Sequence, residues 1–143
     1  PRVARLMAEK NTPVKNFLAT SALVLVGFWG LSLAIPYWGV LPAVLLYGAM
    51  QLTGFFVSRY LNAEAPSDQR ATVLSFKGLL TNFSYGIVSI LYSGLVVTIK
   101  AGSPEADQSK QLVDSLAYAP WYFLGTVGLV FVVYRLRFGK AVK

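Results

Sequence analysis

The sequence contains no cysteine and no histidine. Disulfides, thiolate metal sites, the usual zinc ligand sets and the Ser-His-Asp and Cys-His forms of nucleophilic catalysis therefore cannot be built from it. Charge is scarce too, at 13% of 143 residues against about 25% in soluble domains. Acids are the scarcer sign, with 6 Asp and Glu against 13 Lys and Arg, for a net charge of +7. That excess does not suggest a nucleic-acid partner, because the basic residues border apolar runs and form no aromatic-interleaved stripe. Gly139-Lys140-Ala141 lacks both the upstream glycine and the Ser or Thr of a phosphate-binding loop. No catalytic residue, metal ligand or cofactor is expected, and the chain does not read as an enzyme.

Apolar residues are abundant: 55% of the chain is hydrophobic and the mean hydropathy is +0.55. Charges are absent from Asn16 to Ser58, from Gly78 to Ile99 and from Ser115 to Tyr134, stretches of 43, 22 and 20 residues. A bilayer core of about 30 Å takes on the order of 20 helical residues, so the first stretch holds two crossings and each of the others one. A soluble helical bundle is the poorer reading, because 43 residues without a charge leave no solvated helix face. The expected fold is an all-α membrane protein with four transmembrane helices.

Pro36-Tyr37-Trp38-Gly39 joins a helix breaker, two interface-seeking aromatics and a permissive glycine, and places the fold-back of the long stretch. The expected segments are an arm over residues 1–16, spans over 17–35, 37–57, 74–99 and 117–134, loops over 58–73 and 100–116, and a tail over 135–143. Pro42 and Pro120 are expected in or near first turns, where proline is tolerated. The chain opens with charged residues and no leader-like apolar run, and reads as part of a longer polypeptide.

Eleven basic residues gather on one side of this arrangement: Arg2, Arg5, Lys10, Lys15, Arg59, Arg70, Lys77, Arg135, Arg137, Lys140 and Lys143. Only Lys100 and Lys110 fall on the other, in a loop that also holds Glu105, Asp107 and Asp114. Cytoplasmic loops are enriched in Lys and Arg, so the arm, the 58–73 loop and both ends are expected in the cytoplasm, with the chain in a plasma or inner membrane. Lys77 is expected to snorkel to the cytoplasmic headgroups. Tyr37, Trp38, Trp121, Tyr122 and Phe123 are expected as interface anchors on the far side, with Tyr60 and Tyr134 as partial counterparts.

The spans differ in polarity. The first carries only Thr20, Ser21 and Ser32, and the fourth only Thr126 between aromatic-rich ends, so both suit lipid. The second aligns Tyr47, Gln51, Gly54 and Ser58 on one face, and the third aligns Gly78, Asn82, Gly86, Ser89 and Ser93, with Tyr85 and Tyr92 nearby. Gln51 and Asn82 should not face hydrocarbon unpaired. Two readings stand side by side: the wall of a substrate pathway, lined by Tyr47, Gln51, Asn82, Tyr85 and Ser89, or close helix packing through small residues. No span contains an Asp or Glu, so a proton-relay carboxylate is not expected within this segment.

Between the second and third spans, Pro66-Ser67-Asp68 is a helix-start signal, with Ser67 or Asp68 able to cap the following turn. Arg70 then reaches Asp68, Glu64 or a lipid phosphate, or serves as a plain positive-inside anchor. The run P-S-D-Q-R-A-T-V-L-S from Pro66 to Ser75, followed by a Gly- and Asn-bearing span, resembles the loop between the tenth and eleventh helices of major facilitator superfamily transporters. Pro66, Asp68 and Arg70 are the positions matching that loop motif. The resemblance implies the last four helices of a twelve-helix secondary transporter, partnered by the lipid bilayer and by upstream helices of the same chain. It also implies a small-molecule substrate, unnamed by the sequence, moved by alternating access between two six-helix halves. In that family the tenth helix lines the cavity, the eleventh flanks it, and the ninth and twelfth are peripheral. Arg2 to Lys15 departs from the family, since Arg-Val-Ala-Arg-Leu lacks the Asp of the motif often repeated before the ninth helix. The alternative from another class is a self-contained four-span scaffold or assembly protein without transport activity.

Overall fold

The computed structural model describes residues 2–35, 37–102 and 107–138, and among them the chain is all helical, with no strand. Five helices follow in order: α1 Arg2–Lys10, α2 Pro13–Ser32, α3 Val40–Glu64, α4 Arg70–Gly102 and α5 Gln108–Phe138. The last four are long and apolar enough to cross a membrane, which is compatible with an integral membrane protein. Pro36, Glu105, Lys140 and Lys143 lie outside the described residues, as does Gly139-Lys140-Ala141.

The helices extend past the charge-free stretches. Within the expected arm, α1 is amphipathic: Ala4 is buried while Arg2, Arg5, Glu9 and Lys10 are exposed. Thr12 ends this arm by accepting the Lys15 N–H at 3.4 Å, and Pro13 supplies the first residue of α2. Since α3 runs to Glu64 and α4 starts at Arg70, the link between them is five residues rather than sixteen. Neither Ser67 nor Asp68 caps α4; the Gln69 N–H bonds the Pro66 carbonyl at 3.0 Å, and the Gln69 carbonyl accepts the first helical N–H from Val73. Pro42 does fall in the first turn of α3, but α5 begins at Gln108, so Pro120 is buried in the helix interior. A proline there removes one intrahelical hydrogen bond and bends the helix.

Helix α2 lies between α3 and α5, which do not touch each other among the described residues. Most of the first span stays open, with Val14, Phe17, Leu18, Val26 and Trp29 exposed, while part of its surface is covered by α3 and α5. Its approach to α3 depends on missing side chains: a Cβ on Gly27 would lie 2.6 Å from Leu46 Cγ, and one on Gly30 would lie 2.6 Å from Pro42 Cγ. In lipid, small residues bring helices together by backbone proximity, and polarity is not required. The reversal between α2 and α3 is tight enough that Ala34 and Tyr37 adopt positive φ, 47° and 65°.

Helix α4 meets α3 and α5 but not α2, and none of its residues is buried. The whole chain exposes 11103 Å², where a soluble monomer of 15.6 kDa exposes about 7,000 Å². The only buried hydrophobic side chains among the described residues are Ala4, Ala49 and Phe56, while large apolar side chains stay open along every spanning helix. Such a surface requires lipid or further protein to cover it.

Candidate functional site

Three polar contacts position the helices. The first is a knot around Asn16, which is 0% exposed. Its Nδ2 donates to the Met7 carbonyl at 3.1 Å and to Tyr60 Oη at 2.8 Å, while its Oδ1 accepts from Asn11 at 3.1 Å. One amide thus ties α1, α2 and α3 at the end where α3 approaches the 65–69 link. Tyr60 is not a free interface anchor, since its ring stacks on Phe56 at 6.2 Å and its hydroxyl belongs to this knot. At the far end of α4, Tyr92 Oη lies 2.8 Å from Ser115 Oγ. Ser115 has a single proton, placed on the Leu112 carbonyl at 2.7 Å, so Tyr92 is the donor of the bond joining α4 to α5.

The third contact joins α3 to α4. The Lys77 Nζ crosses to Ser58 Oγ at 2.7 Å and to the Gly54 carbonyl at 3.4 Å. Those are two members of the polar face anticipated on the second span. Lys77 is thus the residue that sequence reasoning set aside and the structure brings to that face. The available signal was its position one residue before the Gly78-Asn82-Gly86 stripe.

Of the anticipated pathway residues, Tyr47 and Gln51 are joined within α3, Gln51 Nε2 donating to Tyr47 Oη at 2.7 Å. On α4, Ser89 Oγ donates back to the Tyr85 carbonyl at 2.8 Å, and the Asn82 amide has no partner among the described residues. All five are exposed and no hydrogen bond links the two groups. Both hydrogen bonds from α4 to α3 come from Lys77, and the bond from Tyr92 goes to α5, so α4 runs diagonally from one neighbour to the other. Its polar stripe lies open between these attachments. A Cβ placed on Gly78, Gly86 or Gly94 would meet nothing within 4 Å, so these glycines are not used for close packing inside this chain.

Arg70 donates from Nε to the Ala65 carbonyl at 3.3 Å, satisfying an acceptor at the end of α3 instead of pairing with Asp68 or Glu64. Pro66 and Asp68 are exposed in the link. On α5, Trp121 and Tyr122 are exposed, and Phe123 packs against Phe28 of α2 with centroids 5.9 Å apart. Shallow depressions run along Ala71, Thr72, Ser75, Phe76 and Leu79 of α4 and along the Tyr118 to Leu129 face of α5, each confined to one helix. Neither encloses a solute or includes the five pathway residues. Among the described residues no three carboxylate, His or Cys side chains gather to hold a metal ion.

Comparison of the chain with protein-family models, with curated proteins and with solved structures found no match.

Proposed function

We propose that this chain is the C-terminal portion of a secondary transporter of the major facilitator type, moving a small solute by alternating access, with Tyr47, Gln51, Asn82, Tyr85 and Ser89 facing the pathway. The observation that carries this reading is the open polar stripe of α4. Asn82 is exposed and unpartnered on a helix long enough to span a bilayer, and an amide cannot be left so in hydrocarbon. Protein or water must cover that stripe, and upstream helices around an aqueous cavity supply both. The resemblance of Pro66 to Ser75 to the loop before the eleventh helix of that family points the same way. In this orientation α1, the 65–69 link and both ends are cytoplasmic, the bilayer is that of a plasma or inner membrane, and the four helices alone do not transport.

No cysteine lies in these 143 residues, so a cysteine placed here is the single thiol of this portion, and any native cysteine elsewhere in the protein is replaced by serine for the test. In the full-length protein, Gln51→Cys and Asn82→Cys should react with a membrane-impermeant thiol reagent from either side of sealed vesicles, because alternating access opens the same positions to both compartments. A second reading, assembly through the open small-residue face of α4, is favoured by the free space at Gly78, Gly86 and Gly94. Reaction from neither side, together with crosslinked dimers at Gly86→Cys, would replace the transporter reading with this one.

A further inference from the structure

We propose that the α3–α4 seam at Lys77 and Ser58 binds an oxyanion, a carboxylate or phosphate group, as the charged end of the solute that uses the pathway. The inference begins with hydrogen-bond capacity. Lys77 has three N–H donors and two described partners, both neutral: Ser58 Oγ at 2.7 Å and the Gly54 carbonyl at 3.4 Å. No described carboxylate pairs with it, and none lies within the charge-free stretches 16–58, 78–99 and 115–134. A half-buried ammonium in a membrane helix with no counter-charge leaves a strong electrostatic demand unmet.

Many hydroxyls in these helices are spent on their own backbone. Thr53, Thr81, Ser84, Ser89, Thr98 and Thr126 each donate their hydroxyl proton to the carbonyl four residues back. Ser58 makes no such bond: its oxygen accepts from Lys77, and its proton is given to no described acceptor. The seam therefore presents a cation with an uncommitted N–H, beside a hydroxyl whose proton is free, and no carboxylate. An acceptor-rich, negatively charged group matches this inventory; a cation or a donor-rich neutral solute does not. The same chemistry is borne by a soluble anion and by an anionic lipid headgroup, and the experiment separates them.

This assignment rests on the pathway reading, but it is tested at a different residue. Full-length protein bearing Ser58→Cys, in nanodiscs of phosphatidylcholine, is treated with thiosulfonate reagents of similar size, one carrying a sulfonate and one a trimethylammonium group. Mass spectrometry follows the peptide containing position 58. After normalisation to free cysteine, the anionic reagent should react about tenfold faster, as expected for a unit charge a few ångströms away. Lys77→Met should abolish the preference and Lys77→Arg should retain it. Slowing of the anionic reagent by millimolar inorganic phosphate or succinate identifies a soluble solute, and slowing only when phosphatidylglycerol is present identifies a headgroup. An equal rate for both reagents, a preference that survives Lys77→Met, or no slowing by any of these anions overturns the proposal. Reaction of Gln51→Cys with a neutral reagent reports on the pathway independently of this result.

Discussion

Helices α2 and α4 are both apolar spans, yet they are used in opposite ways. The first has few polar side chains and is the most enclosed, wedged between α3 and α5 with Asn16, Thr20, Ser21 and Gly27 buried. The other carries the longer polar stripe and buries nothing. In water the more polar helix would be expected outside and the less polar one inside for hydrophobic reasons, but lipid removes that driving force. Here α2 is enclosed because Gly27 and Gly30 let α3 approach and because Asn16 gathers three helices, whereas Asn82, Ser89 and Ser93 of α4 make no hydrogen bond to another helix of this chain.

The contrast breaks most severely at the α2–α3 contact. Gly30→Leu would drive a side chain into the rigid Pro42 ring, and Gly27→Leu into Leu46. Each should destabilise the detergent-solubilised 143-residue chain by about 3 kcal/mol, read as a fall in Tm. Gly30 should be the worse, because a proline ring cannot swing aside as leucine can. Gly86→Leu on α4, where nothing lies within 4 Å, should change the stability of the same chain by no more than about 0.5 kcal/mol.

Next in size is the Asn16 knot. Asn16→Ala deletes its three side-chain hydrogen bonds and leaves half-buried partners without them, at a cost of about 2 kcal/mol. Hydrogen exchange should quicken first in α1, which is fastened to α2 and α3 there, while α4 is unaffected.

The smallest effect sits at the start of α5. Asp107 accepts from the Ser109 hydroxyl at 2.6 Å and the Gln108 N–H at 2.8 Å, and these bonds, the Ser109 hydroxyl first, hold its carboxyl below the usual range. A lowered carboxyl pKa means that the bonds are kept above the ordinary value and lost as pH falls through the depressed one. Acidification below the ordinary carboxylate range should therefore fray the first turn of α5, seen as faster amide exchange at Gln108 and Ser109. Asp107→Asn should remove most of that pH dependence.

The four helices long and apolar enough to span a membrane were legible because hydrocarbon excludes charge, and 43, 22 and 20 uncharged residues leave little else to build. Their ends were harder to read, since a helix does not stop where its apolar stretch stops. Thr12 and Pro13 start α2 ahead of Lys15, and α5 runs nine residues ahead of the expected Ala117. Pro120 shows the consequence, moving from an expected first turn to a buried interior position. Neighbour relations were not legible: Gly27 and Gly30 are two glycines three residues apart in a span judged fit for lipid, and only the position of Pro42 reveals their use. At the candidate site the polar faces of α3 and α4 could be read from helical spacing. The role of Lys77 could not, because whether a long side chain turns to the surface or to a neighbouring helix depends on the crossing of the two helices.

The most direct test is a spin-label scan along α4 in the full-length protein in lipid, from Leu79 to Ser93, comparing relaxation by oxygen with relaxation by a water-soluble nickel complex. If the polar stripe is turned away from hydrocarbon, nickel accessibility should rise at Asn82, Gly86, Ser89 and Ser93, and oxygen accessibility should peak at Leu79, Phe83 and Ile90, with a helical period. High oxygen and low nickel accessibility at all of these positions would place the stripe in lipid and contradict the pathway.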